Sequence, residues 1–210
     1  MAVLNIKELK GAEIGKDIYI IGSGKSIDHI PASFWEGKTC IGTNFCCERI
    51  PCKYGITHHI IAIKSILDSG AILIVSEFEM CISSKNRLNF MENYYWFRHP
   101  EQTYTQITLN FFDDPEYLTA GGTIVTSALN LAYRLGAKNI ILAGVDGGSI
   151  DGIINYKDYP LPTNEDHPTN VRNQLEKISN HIRGKGVPVI SLNPFLNFTN
   201  EGHAFTEFHN

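Results

Sequence analysis

Short apolar runs, each closed by glycine or a polar turn, recur along the chain and alternate with stretches of helical spacing. DIYIIGSG (17–24) is such a run, and its composition predicts a buried strand ending in a Gly-Ser-Gly turn. KTCIGTN (38–44) predicts a second strand, residues 56–63 a third and AILIVSE (71–77) a fourth. From 80 to 118 the pattern is lost in aromatic and polar residues, among them NYYWF and FFDDPEY, and this region reads as an insertion or lid. The clearest signal follows. Ile124, Val125, Ala128, Leu129, Ala132 and Leu135 fall at helical spacing, Gly136 closes the helix, and 139–143 is an apolar strand run ending Gly144-Val145-Asp146. A loop rich in Gly, Pro, Asn and Asp (147–168) precedes a helix from about Pro168 to Arg183, with Pro near its first turn. VPVISLNP (187–194) is the last strand.

Strands alternating with helices across short turns predict an α/β fold, Rossmann-like, with a mostly parallel sheet, helices on both faces and a small lid or insertion. The 210 residues suit one nucleotide-binding domain with an active-site loop at 147–168. In such sheets ligands lie beyond the carboxyl ends of the strands, near a switch in strand order. The residues just after each strand therefore matter most.

Composition narrows the function little. With 43% hydrophobic and 19% charged residues and a formal net charge of -4, no global basic field points to nucleic acid. The five cysteines include no C-x-x-C pair, which argues against zinc and against a disulfide framework, and fits a reducing, cytoplasmic setting. The N-terminus lacks a signal peptide's apolar core, and no apolar run approaches the roughly 20 residues of a membrane-spanning helix. Peripheral membrane contact and homo-oligomer formation stay open.

Gly22-Ser23-Gly24 is neither G-x-G-x-x-G nor a P-loop, since Ile27 stands at the third glycine position and the Lys25-Ser26 pair has no first glycine upstream at P-loop spacing. The first glycine of a P-loop would stand five residues before Gly24, where the chain has Tyr19; the turn is either a close backbone approach to a nucleotide or a plain turn needing glycine. Asn44 could hydrogen-bond a base or ribose, or close an Asx-turn. Gly121, Gly122 and Thr123 open a helix whose N–H groups could meet an anion. Asp146 could bind a ribose hydroxyl, hold a metal or cap a turn. Tyr156 and Tyr159 could donate to phosphate oxygens, or pack their own loop. His167 could serve as general base or be a surface residue, with His58-His59 as the competing pair. For metal, Glu77-x-Glu79 is the best candidate and a weak one, Asp166-His167 carries less weight, and adjacent Asp113 and Asp114 would point to opposite faces of a strand, so none is expected. Cys46-Cys47 have no basic neighbour in sequence and read as buried structural thiols.

Taken together, these pieces resemble a known group. IIGSGKSI is similar to the A-G-N-G-P-S-L turn of the bacterial sialyltransferases of glycosyltransferase family 42, a turn also found in archaeal-type hydroxymethylpterin diphosphokinases and flagellin-modifying motility accessory factors. IGTNF resembles the family's second strand, ending in a nucleotide-binding Asn. The stretch from Gly121 to Asp146 resembles its long helix–strand unit ending G-[IV]-D, and VISLNPFLNF its last strand. Ser23 replaces the family's Asn, Lys25 its Pro, and Tyr156 and Tyr159 stand closer together than the family's pair. The resemblance implies inverting, metal-independent transfer from a nucleotide-activated sugar, such as CMP-sialic acid, to an acceptor hydroxyl, without a cofactor. His167 would be the base, Tyr156 and Tyr159 would stabilise the departing phosphate, and Gly22, Ser23, Gly24, Asn44, Gly121, Gly122, Thr123 and Asp146 would hold the nucleotide. The alternatives are an ATP-dependent pyrophosphokinase of the pterin type, which would need Mg²⁺ and for which Asp146 with Asp151 is the best ligand set, and a non-catalytic nucleotide-binding module.

Overall fold

The computed structural model describes residues 3–77, 94–100, 107–147, 149–150, 152–160 and 168–192. Eight strands lie among the described residues: β1 (Val3–Asn5), β2 (Asp17–Ile21), β3 (Thr39–Thr43), β4 (Tyr54–Thr57), β5 (Ile72–Ser76), β6 (Tyr94–Phe97), β7 (Asn139–Ala143) and β8 (Val189–Ser191). They form one sheet in the order β1-β6-β5-β4-β3-β2-β7-β8, and each pairing is parallel. The α-helices among the described residues are α1 (Ile60–Asp68), α2 (Ile124–Arg134) and α3 (Pro168–Gly184).

Alternation along the strands sorts the core into two faces. Ile18 and Ile20 of β2 join Ile140 and Leu142 of β7 beneath α2 and α3, where Leu129, Leu175, Ile178 and Ile182 are buried. Ile21, Ile141 and Ala143 face the other way, onto Ile27, Trp35 and Tyr156. On that second face α1 packs Ile63 and Ile66 against Leu73 and Val75. Burial on both faces explains why these strands read as apolar runs. The hydroxyl of Thr123 accepts the Val125 N–H at 3.3 Å and caps α2 at its start, and Gly136 (φ +87°) ends it in the left-handed conformation expected of a terminal glycine.

Two elements differ from the sequence reading. The apolar run at 56–63 is split: β4 stops at Thr57, and Ile60 starts α1. A short apolar run fits either element, and here the chain turns at His58-His59. The second difference lies in the described part of the stretch from 80 to 118, which the sequence reads as an insertion or lid. Its residues 94–97 are β6, paired with β1 and β5, and Ile107, Phe112 and Leu118 are buried in the core. This described part belongs to the sheet and its packing.

At the amino ends of the central strands, Glu13 anchors the starts of β2 and β4. Its buried carboxylate pairs with Lys16 (2.8 Å) and Lys53 and accepts the Tyr54 hydroxyl at 2.7 Å. Burial pushes its pKa up, but these hydrogen bonds outweigh that and hold it at about 2.

Candidate active-site cleft

The strand order reverses between β2 and β7: the chain builds outward from β2 through β3, β4, β5 and β6, then returns to β2's other side with β7. At the carboxyl ends of these strands lies a cleft of about 790 Å³. Its walls come from the turn after β2 (Gly22, Ser23, Gly24), the end of β3 (Thr43, Asn44), the start of α2 (Thr123), the segment after β7 (Gly144 to Gly147) and α3 (Arg172).

The Gly-Ser-Gly turn is shaped first by protein contacts. The Gly22 N–H donates to the Ala143 carbonyl at 2.8 Å and the Gly24 N–H to the Gly144 carbonyl at 2.7 Å, so the ends of β2 and β7 are laced together. A Cβ on Gly22 would lie 2.4 Å from the Gly144 carbonyl oxygen, and one on Gly24 would lie 2.4 Å from the Asp146 carboxyl carbon. Both glycines are therefore required by backbone crossing backbone. Between them Ser23 faces the cleft, and its carbonyl accepts the Tyr156 N–H at 2.8 Å.

Asp146 lines the cleft but is only 3% exposed. Its Oδ2 accepts the Ser26 N–H at 2.8 Å, and its Oδ1 accepts the Ser26 hydroxyl. The carboxylate thus clamps the turn that follows Gly24 to the end of β7. Ser26 and Asp146 stand 120 residues apart, and nothing in the local sequence pairs them.

Asn44 has a left-handed backbone (φ +51°) directly after β3, a conformation that Asn tolerates better than most residues. Its side-chain oxygen accepts the Thr57 hydroxyl at 2.8 Å, so the amide NH₂ is the group it offers to the cleft. Tyr159 stands opposite. Burial pushes its phenol up to about 12, while hydrogen bonds with Ser23 and Asn44 pull the other way. The phenol is protonated at neutral pH and can donate. Ser23, Asn44 and Tyr159 are therefore brought together from three parts of the chain.

Tyr156 is buried and does not line the cleft. It meets the Tyr159 ring edge-on at 5.2 Å, and the Arg49 guanidinium lies 5.2 Å from its ring centre. Asp28 holds this loop down by pairing with Lys25 (2.7 Å) and Arg49 (2.6 Å) and accepting the Lys157 N–H at 2.9 Å. Gly121 and Gly122 also stand back from the cleft. The Gln174 side-chain oxygen accepts the Gly122 N–H at 2.6 Å, docking α3 on the entry to α2.

His167 and Asp151 lie outside the described residues, as do Glu79 and Asp166. His58 is buried beside His99 with ring centres 4.9 Å apart, and burial with its neighbouring histidines lowers its pKa to about 3. It does not line the cleft. Cys46 and Cys47 are buried, as expected of structural thiols, and burial raises the Cys46 thiol to about 12. Among the described residues, no three His, Cys, Asp or Glu side chains group as metal ligands would, and no helix is long and apolar enough to cross a membrane. Sequence reasoning missed Arg172, exposed on α3, and Gln174, which is buried; both read in sequence as solvated residues of an amphipathic helix.

No family model and no curated protein matches the chain. Among solved structures it is similar to the sialyltransferase CstII from Campylobacter jejuni in complex with a substrate analogue, cytidine-5'-monophosphate, at a TM-score of 0.52 and 14% identity over 93% of this chain and 84% of that one. CstII in complex with a trisaccharide acceptor and CMP aligns at 0.47 and 14% identity, over 92% and 84% of the two chains. The monofunctional α-2,3-sialyltransferase Cst-I from the same organism aligns at 0.49 and 16%, over 88% and 77%. At such identities the likeness speaks to architecture. The chain has the α/β, Rossmann-like fold of CstII, and the cleft just described lies at that fold's strand-order switch.

Proposed function

We propose that this chain is a glycosyltransferase that moves a sugar from a nucleotide-activated donor, CMP-linked in the first instance, to an acceptor hydroxyl. The observation that carries the reading is the meeting of Ser23, Asn44 and Tyr159 in one cleft at the switch between β2 and β7. The fold shared with CstII, whose structure contains CMP, supports the choice of nucleotide.

In this reading Ser23 and the Asn44 amide hold the nucleotide, beside Gly22, Gly24 and Thr123. An acceptor hydroxyl attacks the anomeric carbon from the face opposite the nucleotide, so the configuration inverts. The bond from that carbon to the phosphate oxygen breaks, and its electron pair leaves on the phosphate. Tyr159 donates to the oxygen where charge develops. Tyr156 braces Tyr159 through ring contact. His167, one position ahead of the first residue of α3, takes the acceptor's proton. The scheme uses no metal: the Asp146 carboxylate serves Ser26, and Tyr159 supplies the stabilisation of the leaving group.

The test is turnover of CMP-sialic acid, followed as CMP release with and without simple sugar acceptors. His167→Ala is expected to lower turnover by about 10²–10⁴-fold with CMP affinity little changed. A His167→Ala protein working at the wild-type rate refutes the base assignment. Failure of the wild type to release CMP from any CMP-linked sugar refutes the reading.

A further inference from the structure

Among the described residues lining the cleft, two carry a formal charge, Asp146 and Arg172. The two are used differently. Asp146 is buried, and both of its oxygens accept from Ser26. Arg172 stands on the first turns of α3 and is exposed. Its Nε donates to the Gly147 carbonyl at 2.6 Å, which fixes the guanidinium at the exit of β7 and leaves the two Nη groups of the fork for another partner. Among the described residues no carboxylate pairs with it. Two residues further along the same helix, Gln174 is docked on Gly122, so the helix that carries Arg172 is tied both to the entry to α2 and to the segment after β7.

We propose that Arg172 is the anion-recognising residue of this cleft: its guanidinium takes a negatively charged oxygen group of the bound donor. This rests on the nucleotide-donor reading above. An arginine held through Nε presents two parallel N–H donors, the geometry that suits two oxygens of one phosphate or carboxylate. Such an anion has two sources in a sugar nucleotide, the phosphate that links sugar and nucleoside and an acid group on the sugar itself. With the Asp146 carboxylate engaged by Ser26, Arg172 is the cationic group that the described lining of the cleft offers to an anion.

The experiment is calorimetric titration of the full chain with cytidine, CMP and CMP-sialic acid, on the wild type and on Arg172→Ala, Arg172→Gln and Arg172→Lys. The side chain is exposed, and Arg172→Gln keeps a donor for the Gly147 carbonyl, so folding is preserved in at least that variant. Arg172→Ala and Arg172→Gln are expected to weaken CMP or CMP-sialic acid about 10- to 100-fold, with cytidine unchanged. Arg172→Lys is expected to recover part of the loss, since it keeps the charge without the fork. Equal losses for CMP and CMP-sialic acid identify the phosphate as the partner, and a loss confined to CMP-sialic acid identifies the sugar's acid group. Wild-type affinity for both anionic probes in Arg172→Ala and Arg172→Gln overturns the proposal and leaves the nucleotide reading standing. A wild type that binds none of the three probes overturns both.

Discussion

Replacing Gly24 with Ala separates two explanations of the Gly-Ser-Gly turn. If the glycines exist only to let a ligand approach, the substitution harms binding and leaves the empty protein's stability alone. The structure leads to a different expectation. The added Cβ would sit 2.4 Å from the Asp146 carboxyl carbon and 2.6 Å from the Gly144 carbonyl oxygen. Asp146 can retreat only by giving up its hydrogen bonds from Ser26, each of a charge-assisted kind worth about 1.5–3 kcal/mol. Holding Asp146 in place instead overpacks the turn, at a cost of about 1–3 kcal/mol. Either route destabilises the protein by about 3 kcal/mol. For a chain of this size that lowers Tm by about 6–12 °C. Gly184→Ala provides the control. That position lies in α3 with nothing within 4 Å of an added Cβ, and the change is expected to stabilise by up to about 1 kcal/mol. Thermal unfolding followed by circular dichroism reads both. A Gly24→Ala protein that melts within about 1 °C of the wild type refutes the claim that the turn is wedged against β7.

Other expectations follow from the same geometry. The Glu13 pKa lies near 2 when folded, below its ordinary value of 4.5, so its pairing stabilises the fold above about pH 4.5 and that contribution fades as pH falls toward 2. The loss amounts to at most about 3 kcal/mol, and Glu13→Gln, less stable at pH 7, is expected to show a flatter acid limb in urea unfolding. Tyr159→Phe is expected to cut turnover of a CMP-linked sugar about 10²-fold through loss of a donor to the leaving phosphate, while CMP affinity changes little; equal rates for the two proteins would remove Tyr159 from the chemistry. Gln174→Leu leaves the Gly122 N–H without its partner, and equilibrium unfolding is expected to show a loss of about 1–3 kcal/mol.

The centre of the fold was legible because its strands are buried on both faces. The runs at 17–24, 38–44, 71–77 and 139–143 are apolar for that reason, and β2, β3, β5 and β7 lie within them. The edge was harder to read. β1 has three residues, and β6 is a run of aromatics, Tyr-Tyr-Trp-Phe, with no alternation to mark it. Within the cleft, position after a strand was a sound guide, and Ser23, Asn44 and Asp146 line it. Position does not reveal partners. That Asp146 answers to Ser26, that Gln174 takes the N–H of Gly122, and that Tyr156 is buried behind Tyr159 are consequences of long-range packing. Each joins residues whose local sequence also suits a solvated turn or helix.

The central claim is that this cleft holds a cytidine nucleotide, and thermal shift across CMP, CDP, UDP, GDP and ATP, each with and without Mg²⁺, tests it most directly. The account predicts that CMP stabilises the protein equally with and without Mg²⁺, by about 2.7 kcal/mol at a hundred times its Kd. Stabilisation by ATP that requires Mg²⁺, with none from CMP, would contradict it.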